Sequence, residues 1–477
     1  MTAGNALLID FGSTYTKLRA IDLDGGDILG SGQGPSTVTT DVTLGLDAAL
    51  GALEDAIGHL PKFKYRLASS SAAGGLAMIT VGLVKELTAE AARLAALGAG
   101  AKLIDAHAYK LTNKDAMGIV AKNPDILLLA GGTDGGNEET IRWNAEKLAD
   151  AKLACPVVIA GNRNTADDIA DIFKSIGTDV RIAGNVMPEF NVLDVEPARA
   201  AIRDIFIERI VHAKGIDRAQ SRFDAVLMPT PTAVMEGARL LANGTSNLPG
   251  LGPLVVIDVG GATTDVHSIA DGKPAEAGVL QYGLPEPYAK RTVEGDLGMR
   301  HNARTIVETT GVDTFSSNSG FDVSEIETRL AAIEADVERL PANAAEKTFD
   351  AALARSAVAR AMKRHAGRVE IKQSVTGPVT VQYGKDLTDI ETIIGTGGIL
   401  AHGEDPTHTL TAALFDQGDA ASLRPKNPNL MVDKAYALYA VGLLADYAPD
   451  AALQFAHNNI RSDTNNGASR HDRNPAA

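Results

Sequence analysis

A strand that ends in aspartate and then turns through a glycine-rich hairpin occurs twice in this chain. The first copy runs Leu7-Leu8-Ile9-Asp10-Phe11-Gly12-Ser13-Thr14-Tyr15-Thr16-Lys17. The second runs Val255-Val256-Ile257-Asp258-Val259-Gly260-Gly261-Ala262-Thr263-Thr264-Asp265-Val266. Each continues through a second apolar strand to an Asp-Gly turn, Asp24-Gly25-Gly26 in one and Asp271-Gly272 in the other, and into a third strand. One Asp-x-Gly hairpin is a common connection. Two, with matching downstream turns, imply two similar lobes facing each other. Glycine lets a ligand approach the backbone, and consecutive N–H groups beside hydroxyls suit phosphate oxygens. The aspartates suit a hydrated Mg²⁺, which takes one or two carboxylates and keeps several waters. The pattern reads as a nucleotide clamp.

Composition narrows the partners. The chain has 477 residues, room for several domains of about 150 residues each. Its net charge of −15 repels phosphodiester backbones, which excludes nucleic acid as a main partner. A polyphosphate would need Mg²⁺ to screen it from the surrounding carboxylates. The single cysteine, Cys155, lies in an apolar stretch and reads as a small buried hydrophobe rather than a catalytic thiol. With no second cysteine there is no intramolecular disulfide, as suits a reducing cytosol. No basic leader precedes the first strand, and no run nears the roughly 18 apolar residues of a membrane span. These features predict a cytoplasmic protein without a membrane segment.

Periodicity places the remaining elements. Apolar positions at helical spacing predict helices over Val42–Ile57, Val84–Leu97 and Asp433–Tyr447, and largely helical chain over residues 320–366. Short apolar strands at Ile126–Ala130, Val157–Ala160 and Val180–Ala183 alternate with helices, which predicts βαβ units and a parallel sheet. Capping boxes are expected at Thr165 with Asp168 and at Ser324 with Glu327. A strand at Ala225–Met228 leads through Pro229-Thr230-Pro231-Thr232 into a helix, and another at Ile390–Ile394 ends in Gly395-Thr396-Gly397-Gly398. The expected organisation is lobe I over residues 1–250 with an α/β insertion at about 100–195, and lobe II over 251–432. A return helix to lobe I then spans 433–461, and a polar, disordered tail 462–477.

The order of these elements resembles the actin–Hsp70–hexokinase ATPase superfamily. The segment from Asp10 to Thr16 looks like its first phosphate loop, and that from Asp258 to Asp265 its second. Thr230-Pro231-Thr232-Ala233 looks like the first inter-lobe connection, Gly395–Gly398 the adenosine loop, and the helix near 433–447 the second connection. Within the superfamily the chain is most similar to the accessory, reactivating proteins of glutamate (methylaspartate) mutase. That group is sometimes called MutL, and it is unrelated to the mismatch-repair protein of the same name. The features behind this are Leu127–Asn137, Val158–Asn164, the stretch from Val293 to Arg300 and the whole second phosphate loop.

The resemblance implies an α/β fold, the two-lobed actin-like ATPase with duplicated ribonuclease-H-like lobes. It implies ATP and Mg²⁺ as cofactors and the subunits of an adenosylcobalamin-dependent mutase as partners. Its activity would be chaperone-like: an ATPase that promotes release of damaged cobalamin, with hydrolysis slow in the partner's absence. On that basis Gly12, Ser13, Thr14, Tyr15 and Lys17 bind phosphates from one side and Gly260, Gly261 and Thr263 from the other. Asp10 and Asp258 hold the metal, Asp10 and Asp265 are catalytic, and Gly395, Thr396, Gly397 and Gly398 bind adenosine. One departure stands out: chaperone members carry glutamate where this chain has Thr230, so the water-orienting residue is unassigned. Asp134 serves either as a site residue or as a turn former, and Glu294, Asp296 and Arg300 either pair with one another or meet the nucleotide. His365 and His402 read as solvated. The competing functions are a small-molecule kinase, an actin-like ATP-binding assembly protein and an amidohydrolase subunit.

Overall fold

The computed structural model describes residues 4–12, 15–37, 41–70, 76–213, 222–375 and 377–462. Ser71–Gly75 and all but the first residue of the expected tail lie outside them. The chain divides into two compact units, one within residues 1–237, 281–290 and 439–452, the other within 238–280, 291–438 and 453–477.

The first unit opens with the antiparallel strands β1 (Asn5–Phe11), β2 (Tyr15–Asp22) and β3 (Ile28–Pro35). Every residue of β1 from Ala6 to Phe11 is buried, as befits a central strand covered on both faces, whereas β2 alternates in and out. Gly30, Gly32 and Gly34 fall on one face of β3 by its two-residue period. A Cβ on any of them would meet the helix Val42–Ile57, at Ile57 Cγ2 (2.2 Å), Ala49 O (2.0 Å) and Gly45 O (2.4 Å) respectively. The three glycines thus form a bare track on which that helix lies. The chain then enters β4 (Phe63–Ser70), parallel to β1.

A second sheet follows in the same unit: β5 (Ala77–Gly82), β6 (Lys102–Ala108), β7 (Ile126–Leu129), β8 (Val157–Ile159) and β9 (Val180–Ile182). All its pairings are parallel and the order is β6-β5-β7-β8-β9. Strands β5 and β6 are absent from the sequence-based expectation. The apolar run of β5 continues through Gly82-Leu83-Val84 without a break, and the charged residues of β6 mark it as an edge. The first sheet is completed by β10 (Ala225–Pro229), parallel to β4, in the order β10-β4-β1-β2-β3.

The second unit repeats this plan. Strands β11 (Leu254–Val259) and β12 (Thr264–Ile269) form the antiparallel pair. After β13 (Leu280–Tyr282), β14 (Ala289–Glu294) and the hairpin β15 (Arg368–Ser374) and β16 (Gly377–Tyr383) come β17 (Thr392–Thr396), β18 (Asn429–Asp433) and β19 (Ile460–Arg461). β17 runs parallel to β11, and β18 to β17, giving the order β14-β12-β11-β17-β18-β19. Apart from the short β19, both sheets read third, second, first, fourth, fifth strand. This is the duplicated α/β fold implied by the sequence. The helix Ala344–His365 covers the second sheet with Phe349, Leu353, Ala357, Val358 and Ala361 buried. Among the described residues no helix is long and apolar enough to cross a membrane.

Three local expectations shift. Thr165 donates to Asn162 O from the end of a 3₁₀ turn instead of capping the helix Ala166–Ser175. The helix Val323–Ala335 is capped by Asp322 with Glu325, a reciprocal pair that satisfies the same spacing two residues earlier than Ser324 with Glu327. The last connection is helical only over Leu438–Leu444, because Asp433 ends β18 and its carboxylate takes the N–H groups of Ala437 (2.7 Å) and Leu438 (3.1 Å). That helix meets the helix Thr230–Asn243 at its closest on Gly442, where a Cβ would lie 1.8 Å from Ala233 O. Gly442→Ala is expected to cost about 3 kcal/mol by overpacking backbone against backbone, read as a lowered urea midpoint.

Candidate functional site

Asp10 sits near the end of β1 with Lys17 opposite it on β2 and Ser69 beside it on β4. Asp10 is 8% exposed. Oδ1 accepts two hydrogen bonds, from Thr230 Oγ1 at 2.5 Å and Ser69 Oγ at 3.2 Å. Thr230 opens the helix Thr230–Asn243, so the head of that helix supplies a donor to Asp10. Oδ2 takes no hydrogen bond among the described residues. Burial raises the Asp10 pKa above the ordinary carboxylate value, against opposing effects of Thr230, the Lys17 charge and Ser69. Gly12 closes the turn by donating its N–H to Tyr15 O at 3.0 Å. With that N–H engaged, what Gly12 offers a ligand is close approach to the backbone. Tyr15 is 44% exposed at the start of β2, and Ser13 and Thr14 lie outside the described residues.

Asp258 holds the same register point in the second unit, opposite Asp265 on β12 and beside Thr396 on β17. Strand for strand, Lys17 corresponds to Asp265 and Ser69 to Thr396. Asp265 is buried and paired, with Arg291 Nη2 at 2.6 Å and Nε at 3.1 Å both donating to Oδ2. Its Oδ1 is buried without a hydrogen bond. The neighbouring His267 is wholly buried, and burial together with the Arg291 charge pushes its pKa down to about 3, so it is neutral. Gly260 N, like Gly12 N, is spent on its own turn, donating to Thr263 O at 2.9 Å. Gly261 and Ala262 stand exposed at the tip, and Thr263 is half-buried.

The loop Gly395–Gly398 meets this turn through Gly397. Its φ is +95°, and a Cβ there would lie 2.3 Å from Val259 O and 2.8 Å from Asp258 Oδ1. Gly395 ends inside β17, and Gly398 begins a short helix through His402. Thr396 Oγ1 donates to Asp433 Oδ2 at 3.3 Å. Asp433 is fully buried and was not expected at the site, although an aspartate closing a strand ahead of a helix was a legible signal. The structure thus brings Asp10, Gly12, Tyr15 and Lys17 together in the first unit. In the second it gathers Asp258, Asp265, Gly260, Gly261, Thr263 and Gly395–Gly398.

Other residues find structural partners. Asp134 Oδ1 accepts from Arg163 N (3.1 Å) and Asn185 Nδ2 (2.9 Å), which makes it a loop organiser. Glu294 and Asp296 share Arg364, at 2.5 and 2.7 Å, and Arg300 pairs with Asp350. His365 is buried between Thr292 and Ser268, 2.8 Å from each, contrary to the solvated position expected of it. Cys155 is buried, and burial lifts its thiol to a pKa of about 11, which leaves it unreactive at neutral pH.

Residues 6–460 match the family model described as MutL protein. The chain is also 46% identical over 449 residues to Protein MutL of Clostridium tetanomorphum, across 94% of this chain and 97% of that one. The chain belongs to the MutL family. Among solved structures it is similar to gluconate kinase from Lactobacillus acidophilus, 11% identical with a TM-score of 0.37 over 97% of this chain and 93% of that one. It is similar too to xylulose kinase from Bifidobacterium adolescentis, 13% identical with a TM-score of 0.33 over 94% and 93%. Both TM-scores are below 0.5, so the fold assignment stands on strand order and register.

Among the described residues of this MutL family member, no three His, Cys, Asp or Glu side chains gather to hold a metal directly. One uncommitted carboxylate oxygen, Asp10 Oδ2, beside a glycine turn fits an ion that brings its own water and phosphate ligands. The raised Asp10 pKa also makes the site costly for the fold. The folded state holds the Asp10 proton more tightly than the unfolded chain does, so stability falls as pH rises from the unfolded carboxylate pKa through the folded one. Asp10→Asn keeps an acceptor for Thr230 and Ser69 and removes the charge. Its thermal midpoint is expected above that of the parent at pH 8, with the gap closing toward pH 4. A gap that stayed constant with pH would show that Asp10 is not held against its charge.

Proposed function

We propose that this protein binds Mg²⁺·ATP and hydrolyses it to reactivate an adenosylcobalamin-dependent mutase of the glutamate mutase type, by promoting release of damaged cobalamin. The observation that carries the nucleotide part is the register identity of Asp10 and Asp258. Both stand at the same point of two equivalent sheets, next to a glycine turn. Membership of the MutL family supports the partner. When bound, Mg²⁺·ATP supplies a charge-neutralised phosphoanhydride for cleavage.

The residues of the chain divide the remaining work. Asp10 and Asp258 would hold the metal through its waters. Thr230, Ser69 and Lys17 favour the ionised form of Asp10 against its burial. Lys17, across the ladder from Asp10, adds positive charge near the phosphates. Asp265 is the less exposed candidate: its Arg291 pair fixes one oxygen and leaves Oδ1 to orient a water. Gly261, Thr263, Ser13, Thr14 and Tyr15 would line the phosphates, and Gly397 and Gly398 the adenosine. Differential affinity of the two nucleotide states for closed and open arrangements would drive the release of cobalamin.

The test is phosphate release from ATP by the purified protein, with and without cobalamin-loaded glutamate mutase. Release should rise when the mutase is present. A mutase blocked by inactive cobalamin should regain turnover only with ATP, Mg²⁺, fresh coenzyme and this protein together. Asp10→Ala should abolish both effects, and recovery without ATP would refute the proposal. Label passing from ATP to a metabolite would favour a kinase instead. Thr230→Val removes a hydrogen bond that lowers the Asp10 pKa, so the acid limb of the ATPase profile should move to higher pH. Thr230→Ser should restore it.

A further inference from the structure

A cavity of about 310 Å³ opens in the second unit, with neither Gly260–Thr263 nor Gly395–Gly398 in its lining. Its walls come from the helix Val323–Ala335, residues 339–341, the first turns of the helix Ala344–His365 and Arg300. The apolar part is Ile333, Leu340, Pro341 and Phe349. Leu340 is 77% exposed, which leaves an aliphatic side chain unburied at the cavity in a loop between two helices.

The charges lining it are unevenly satisfied. Arg300 is paired with the buried Asp350, and Arg339 with Glu346 at 2.7 Å. Glu346 also accepts from Ala342 N, and Glu325 caps its own helix through Asp322 N. Arg329 differs. Its guanidinium stacks over Phe321 at 4.4 Å and lies 5.9 Å from the Phe349 ring, yet it makes no ion pair or hydrogen bond among the described residues. Its Nε is buried without an acceptor. A guanidinium held over an aromatic ring keeps its N–H groups for a partner beside the ring, and a carboxylate or sulfonate matches their geometry. We propose that this cavity binds a small amphiphilic anion, one carboxylate or sulfonate on an apolar body, which rests on Ile333, Leu340 and Phe349 and pairs with Arg329.

The cavity is mechanically tied to the second glycine turn. The backbone N–H groups of Met299, Arg300 and His301 donate to Gly260 O and Gly261 O at 2.8 to 3.1 Å, while the Arg300 side chain lines the cavity. An occupant that braces Arg300 therefore braces the turn.

The probe is 8-anilinonaphthalene-1-sulfonate, with N-phenyl-1-naphthylamine as its uncharged counterpart, titrated by fluorescence against the full chain. The sulfonate should bind one to one and more tightly than the neutral probe. Arg329→Met should weaken it about tenfold, the loss expected of one charge-assisted hydrogen bond. Ala332→Trp, at an exposed position on the cavity wall, should block it while far-UV circular dichroism stays unchanged. Bound sulfonate should also slow amide exchange across residues 297–301. Equal binding of the neutral probe, binding unaffected by either variant, or displacement by adenosine would each overturn the proposal. Unchanged exchange would overturn the link to the turn. None of these readouts depends on ATP hydrolysis, so the site stands or falls apart from the proposed function.

Discussion

Asp10 carries a carboxylate on a strand whose neighbours from Ala6 to Phe11 are all buried apolar side chains. Placing a charge there is unfavourable unless donors meet it. The donors arrive from two other elements, Ser69 on β4 and Thr230 at the head of a helix, with Lys17 opposite. The arrangement of the first sheet follows from that demand. β4 must run parallel to β1 in a register that sets Ser69 beside Asp10, and β10 must end where its successor helix can turn Thr230 inward.

The second unit solves the same problem differently. Asp258 has the acidic Asp265 where Asp10 has Lys17, and the structure answers with Arg291, which neutralises Asp265 from the next strand out. Thr396 and Asp433 occupy the side taken by Ser69 and Thr230 in the first unit, and there the buried carboxylate is used to cap the following helix. Duplicated backbones thus carry unlike charges at matched points. This makes the two turns chemically distinct, one with a poised carboxylate and an amine, the other with an ion pair and a helix cap.

Much of this was legible in the residues. The Asp-x-Gly hairpins, the turn at Asp24-Gly25-Gly26 and the helix over Val42–Ile57 come from local spacing and stand in the structure, whereas at the expected Asp271-Gly272 turn Gly272 O is taken by Asp386 N and Gln382 Nε2. The N–H groups of Gly12 and Gly260 are used within their own turns for a local reason too: a two-strand turn this tight takes that N–H itself. Strands β5 and β6 escaped notice because an unbroken apolar run and a charged edge each lack the alternation that marks a half-buried strand.

The sequence by itself determined the duplication, the glycine turns and the aspartates that precede them, because each depends on residues a few positions apart. Tertiary structure alone decided which groups those aspartates meet. Ser69 lies 59 residues from Asp10 and Thr230 lies 220 away, while Arg291 reaches Asp265 across 26. His365 likewise finds a hydrogen-bond partner in Ser268, 97 residues distant. Hydrogen bonds act over about 3 Å, and only the packed sheets bring such separated side chains within that range.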